Sequence, residues 1–155
     1  ATKTRLAANG ADEDLLEYFA FGGAELKIAE DFDAVAAREE IYQIMMGCRR
    51  DEYQAAMEHV KEARITAWWD RAVDIIPRNG GKGLAVLKIL EHYRLSREEA
   101  LAFGDGNNDI EMIEAAGWGV AMGNASPELK AAADDICGSA AEDGIYHYCR
   151  EHGLL

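Results

Sequence analysis

The 155 residues suffice for one ordinary domain with a real core, and an apolar fraction of 49% beside 29% charged residues is the composition of a soluble globular protein. A formal net charge of −13, from 16 Lys and Arg against 29 Asp and Glu, repels nucleic acid and anionic lipid, and we set both aside as partners. No apolar run approaches the ~18 residues that span a bilayer, and the opening ATKTRLAANGADEDLL lacks the apolar core of a signal peptide.

In chain order, DEDLLEYFA reads as a short helix with acids in its first turn. AELKIAE alternates and reads as a strand, and DFDAVAAREE as a helix. IYQIMMGC, 41–48, is an apolar run bounded by charge, a strand. RRDEYQAAMEHVKEAR sets Tyr53, Ala56, Met57 and Val60 on one helical face, and RITAWWD with RAVDIIP suggests two strands of a hairpin. The punctuation PRNGGKG then divides the chain by character. Beyond it, KGLAVLKILEHYRL is a helix, ALAF a buried strand and NDIEMIEAAG a helix that stops on glycine. WGVAMG is a strand, SPELKAAAD a helix capped by Ser126 with Pro127 at its first position, DDICG a strand and AEDGIYHYCREHG a closing helix. Helices alternating with strands over this half predict an α/β fold, a doubly wound parallel sheet covered on both faces, with ligands at the carboxyl ends of its strands. Residues 1–76 form a separate α+β region and 77–155 the sheet domain.

The stretch GDGNND, 104–109, stands at one such strand end. It fails as a calcium loop, because Ile110 stands where the turn glycine is needed and Ala116 where the closing glutamate is needed. It is weak as a dinucleotide fingerprint, with Asp109 in place of the third glycine. A helix cap would use one polar residue and leave the others idle. Asp105 and Asp109 fall close together on this turn, and two carboxylates about 4 Å apart repel by about 4 kcal/mol at an effective dielectric of about 20. A divalent cation removes that repulsion, and hard oxygen donors at an open strand end suit Mg²⁺. Lys82, after Gly80 and Gly81 at a helix start, adds a positive charge where anions gather. Lysine and carboxylate-bound Mg²⁺ together describe a phosphate site.

With GGKG followed by GDGNND, and with the run from GGKGLAVLKILEHYRL to SAAEDGI, the sequence resembles the haloacid dehalogenase-like hydrolases, in particular the Cof-type sugar-phosphate phosphatases. The resemblance is strong over 77–155 and looser over 40–76. It implies the C-terminal half of the family's Rossmann-like core, preceded by part of a cap, and a Mg²⁺-dependent phosphatase of small phosphorylated metabolites such as sugar phosphates. It implies that Lys82 contacts the substrate phosphate and the aspartyl-phosphate intermediate, and that Asp105 is a Mg²⁺ ligand. Asp109 would be its acidic partner, orienting the metal's water and the lysine, and Asn108 an amide that contacts phosphate or the metal shell. Asn124 is a lip residue of the cleft or a turn former.

The family's nucleophile, an aspartate in Asp-x-Asp-Gly-Thr, has no counterpart here. Asp31-Phe32-Asp33 has the spacing, but Ala34-Val35 follows it, and Asp12-Glu13-Asp14 has no strand before it. Both read as helix-start acids. The chain is therefore expected to be a fragment that begins inside the cap and is inactive alone, its nucleophile supplied by a missing N-terminal segment or a second chain. The alternative is a non-catalytic or partner-dependent protein that keeps the metal and phosphate half-site for binding. Cys48, Cys137 and Cys149, without CxxC spacing, read as free thiols of a reducing cytoplasm. His59, His92, His147 and His152 read as surface or packing residues. Trp68 and Trp69 are expected to pack under the cap sheet.

Overall fold

Helix α1, Glu13–Phe21, starts where the Asp12 carboxylate accepts the Leu15 N–H at 2.7 Å, and its buried face is Leu15 and Phe19. In the computed structural model, which describes residues 1–155, it belongs to the first of two units, Ala1–Asn79 and Gly80–Leu155. The division falls just after β3, whose last residues are Ile76 and Pro77.

The first unit continues with α2, Phe32–Arg38, which buries Val35, and with a three-stranded antiparallel sheet of order β1-β3-β2. β1 is Ile44–Gly47, β2 Ala63–Thr66 and β3 Ala72–Pro77. β2 and β3 pair as the expected hairpin, Ile65 opposite Ile75. Between β1 and β2 lie a 3-10 turn, Arg50–Glu52, and the short α3, Tyr53–Met57. The stretch AELKIAE is not a strand: it makes a single bridge, Ala8 to Ile28, and Ile28 is 59% exposed. Burial does not follow its alternation, Leu26 being half-buried and Ile28 exposed. Trp68 and Trp69 pack on Tyr18 and Phe21 of α1. Trp68 is 40% exposed and stacks on Tyr18 at 5.1 Å, and the Arg71 guanidinium lies 4.1 Å over the Trp69 ring. The indole N–H of Trp68 donates to the Tyr18 hydroxyl at 2.9 Å, which in turn donates to the buried carboxylate of Asp74. Burial of the phenol, then the charge of Asp74, push Tyr18 up to about 12.

The second unit begins with α4, Lys82–Tyr93, and then alternates. β4 is Leu101–Gly104, α5 Ile110–Ala115, β5 Trp118–Ala121, α6 Pro127–Ala132, β6 Asp135–Ile136 and α7 Gly144–Glu151. The three strands form a parallel sheet, β4-β5-β6, with Phe103 opposite Val120 and Gly104 opposite Ala121. Side chains alternate between faces along a strand, and both faces carry helices. On one, α5 lies so close to β5 that a Cβ at Gly119 would stand 2.9 Å from the Ile113 carbonyl oxygen. On the other, Tyr148 of α7 meets Phe103 edge to face at 5.5 Å. Ile113, Leu129 and Val120 are fully buried between these layers, each stabilising the unit by about 1.5–3 kcal/mol. This is the doubly wound α/β arrangement; the small antiparallel sheet belongs to the first unit. No helix is long and apolar enough to cross a membrane.

Candidate active site

The turn after β4 is closed by one carboxylate. Asp109 is 4% exposed, and its Oδ2 accepts the backbone N–H of Asp105 at 3.1 Å and of Gly106 at 3.2 Å. Its Oδ1 accepts a hydrogen bond from the Lys82 ammonium. Lysine and aspartate are 27 residues apart in sequence, yet the strong contact between α4 and α5 brings the start of one helix to the turn before the other. The turn itself is a 3-10 segment, Asn107–Asp109, in which the Asp109 N–H donates to the Gly106 carbonyl at 2.9 Å. Gly104 leaves the space: a Cβ there would come within 2.7 Å of the Asp109 Cβ.

Asp105 differs from Asp109 in every respect that matters for a ligand. It is exposed at the strand end, and the contact on its carboxylate is with the Asn124 amide, 3.5 Å from Oδ2. The repulsion expected between the two aspartates is met on the Asp109 side by the lysine and two N–H groups. That leaves Asp105 as the outward-facing charge. Asn108 is half-buried in the same turn. Asn107 accepts from the Ser126 hydroxyl, whose oxygen also accepts the Leu129 N–H at 3.1 Å and so caps α6.

The turn offers the carboxylates of Asp105 and Asp109 beside the Lys82 ammonium, and no group of three or more His, Cys, Asp or Glu gathers here or elsewhere in the chain. One or two carboxylates at an exposed strand end fit Mg²⁺, which retains water and takes other ligands from a phosphate. Asp105 fits as the direct ligand. Asp109, with both oxygens already in protein hydrogen bonds, fits as the group that fixes the turn and the lysine.

The model of one family, described as haloacid dehalogenase-like hydrolase, matches residues 15–149. The chain belongs to that family. Among its relatives, the YkrA protein of Bacillus subtilis (strain 168) is 37% identical over 134 residues, covering 86% of this chain and 52% of YkrA. The 5-amino-6-(5-phospho-D-ribitylamino)uracil phosphatase YitU of the same organism is 31% identical, covering 93% of this chain and 55% of YitU. Among solved structures, the haloacid dehalogenase subclass IIB sugar phosphatase BT4131 superposes with a TM-score of 0.78 at 28% identity, over 89% of this chain and 53% of that one. The chain thus spans about half the length of the curated relatives it matches.

The haloacid dehalogenase-like turn brings together Lys82, Asp105, Asn108 and Asp109, the four residues singled out in the sequence. It also recruits Asn107, Ser126 and Asn124. For Ser126 the sequence signal was a helix cap, and its second partner was invisible until β4 and β5 were paired. The remaining aspartate candidates are engaged in the first unit. Asp12 caps α1, and Asp31 stands at the start of α2 in an ion pair with Arg5 at 2.7 Å.

Proposed function

We propose that this chain supplies the lysine and metal-carboxylate half of a Mg²⁺-dependent phosphatase that hydrolyses phosphomonoesters of small metabolites, sugar phosphates among them. The observation that carries the proposal is the arrangement at the end of β4, with Lys82 fixed on Asp109 beside the exposed carboxylate of Asp105. Membership of the haloacid dehalogenase-like hydrolases and the phosphatase names of its relatives support it.

In this proposal Asp105 and Asp109 are the metal residues, Asp105 holding Mg²⁺ directly, and the ion would neutralise charge on the phosphate oxygens when bound. Lys82 offers a fixed ammonium to the same oxygens, preorganised by its pairing with Asp109. Asn108 orients the phosphate through its amide. The attacking carboxylate lies outside these 155 residues. It arrives on an additional N-terminal segment or a second chain that adds to the unpaired edge of β4, next to Asp105. We place the protein in the cytoplasm, consistent with its three free thiols. The engagement of Asp12 and Asp31 in the first unit favours a second reading of the chain by itself, in which it binds metal and phosphate without turnover.

The test combines binding with turnover. Calorimetry should register weak Mg²⁺ binding that Asp105→Asn abolishes; unchanged binding in that variant removes the metal assignment. The chain alone should hydrolyse p-nitrophenyl phosphate no faster than Asp105→Asn, and adding a segment bearing Asp-x-Asp-Gly-Thr should bring Mg²⁺-dependent turnover. Robust turnover by the chain alone would instead implicate Asp31 and Asp33.

A further inference from the structure

The loop after β5 reaches across to the metal turn at two points. Parallel pairing sets Gly104 opposite Ala121, and the Met122 N–H donates to the Gly104 carbonyl at 2.8 Å, so the next residues run alongside Asp105. Ser126 donates to Asn107, and the Asn124 amide nitrogen stands 3.5 Å from Asp105 Oδ2. The other end of the Asn124 amide settles which way it faces. Its Oδ1 accepts the backbone N–H of Ala140 at 3.0 Å. A backbone N–H can only donate, so the carbonyl end must face Ala140 and the NH₂ end must face Asp105. An amide held at one end by a rigid backbone donor is a fixed donor at the other.

We propose that Asn124 is a positioning residue for the metal carboxylate: tethered to Ala140, it holds Asp105 through Oδ2 and so presents that side chain to Mg²⁺ in a single orientation. The inference rests on the assignment of Asp105 as the metal ligand. At 3.5 Å the contact stands at the long end of the hydrogen-bond range. Partners that orient a ligating carboxylate commonly affect metal affinity tenfold or more. An ordinary turn-forming asparagine would affect only stability.

The experiment is a Mg²⁺ titration of the full chain, followed by the amide NMR shift of Gly106, with Tm measured in parallel. Asn124→Ala should weaken Mg²⁺ binding about tenfold while Tm changes little, because the side chain is exposed. Ala140→Pro removes the tethering N–H at the first residue of a 3-10 turn, Ala140–Glu142, where proline is tolerated. It should weaken binding by a smaller factor, with Asn124 intact. If Asn124→Ala does not fold, Ala140→Pro decides alone. Mg²⁺ affinity within twofold of the parent in the folded variants would overturn the proposal. Asp105→Asn, run beside them, separates the two levels of the argument. If that variant binds Mg²⁺ normally, the metal assignment itself fails; if it loses binding while the Asn124 and Ala140 variants keep it, only the positioning role does.

Discussion

Removing Asp109 should cost more stability than removing Lys82, although the two form one ion pair. The pair is lopsided: the lysine side chain is 48% exposed and the aspartate 6%. In Lys82→Met the carboxylate keeps the N–H groups of Asp105 and Gly106, and the lost attraction is that of a half-solvated pair, about 1 kcal/mol after allowing for solvent screening. In Asp109→Ala the ammonium turns to water at little cost, but two backbone N–H groups lose a charged acceptor. Hydrogen bonds to charged groups contribute about 1.5–3 kcal/mol each, and water reaching the turn recovers part of that, which leaves about 2–3 kcal/mol. Amide hydrogen exchange at Val120 and Ala121, buried in the central strand β5, reads the opening of this unit. Those amides should exchange about 30- to 150-fold faster in Asp109→Ala, and about fivefold faster in Lys82→Met. Equal acceleration in the two variants would refute the reasoning, because it would mean that the ammonium, and not the turn amides, holds the carboxylate in place.

Gly104→Ala should behave like a milder Asp109 variant. The new methyl would stand 2.7 Å from the Asp109 Cβ and should destabilise the second unit by about 1–3 kcal/mol, measured by the same exchange rates, with weakened Mg²⁺ binding. In the first unit, Tyr18 is raised to about 12 from an ordinary value of 10.0, so the folded state holds the phenol proton more tightly than the unfolded one. Its contribution is therefore fully present below about pH 10 and lost as pH rises through about 12; urea midpoints read by tryptophan fluorescence should fall over that window, and Tyr18→Phe should flatten the fall. Asp31→Asn and Asp33→Asn should leave Mg²⁺ affinity unchanged in calorimetry, since Asp31 is paired with Arg5 and Asp33 lies in the first turn of α2.

The strands and turn of the second unit were legible because burial and punctuation agree there. LAFG is short, apolar and stopped by glycine, and WGVA is buried on both faces, so no alternation confuses the reading. Lys82 and the GDGNND acids were legible as a constellation because each alone is unremarkable and together they read as one charged cluster, in which the structure pairs Lys82 with Asp109. The first unit was harder. The helical stripe of Tyr53, Ala56, Met57 and Val60 yields only Tyr53–Met57, because Ala63–Thr66 is drawn into pairing with β3 and the chain must turn back before it. Tertiary pairing overrode local periodicity. AELKIAE failed for a different reason: its pairing stops at the single bridge from Ala8 to Ile28, and a period of two forms a strand only where a neighbouring strand continues the ladder. The Asn124 and Ser126 contacts depend on the register of β4 against β5, which no local pattern encodes.

The Lys82–Asp109 contact closes a loop of only 27 residues, and the entropy of closing a loop grows slowly with length and is modest at this size. Helix α4, strand β4 and the turn can therefore meet early in folding, ahead of pairings that span more of the chain. Sequence drift in residues 1–79 leaves every member of that closed loop untouched. The turn and the lysine that closes it are in this sense carried by one short stretch of sequence, from Lys82 to Asp109.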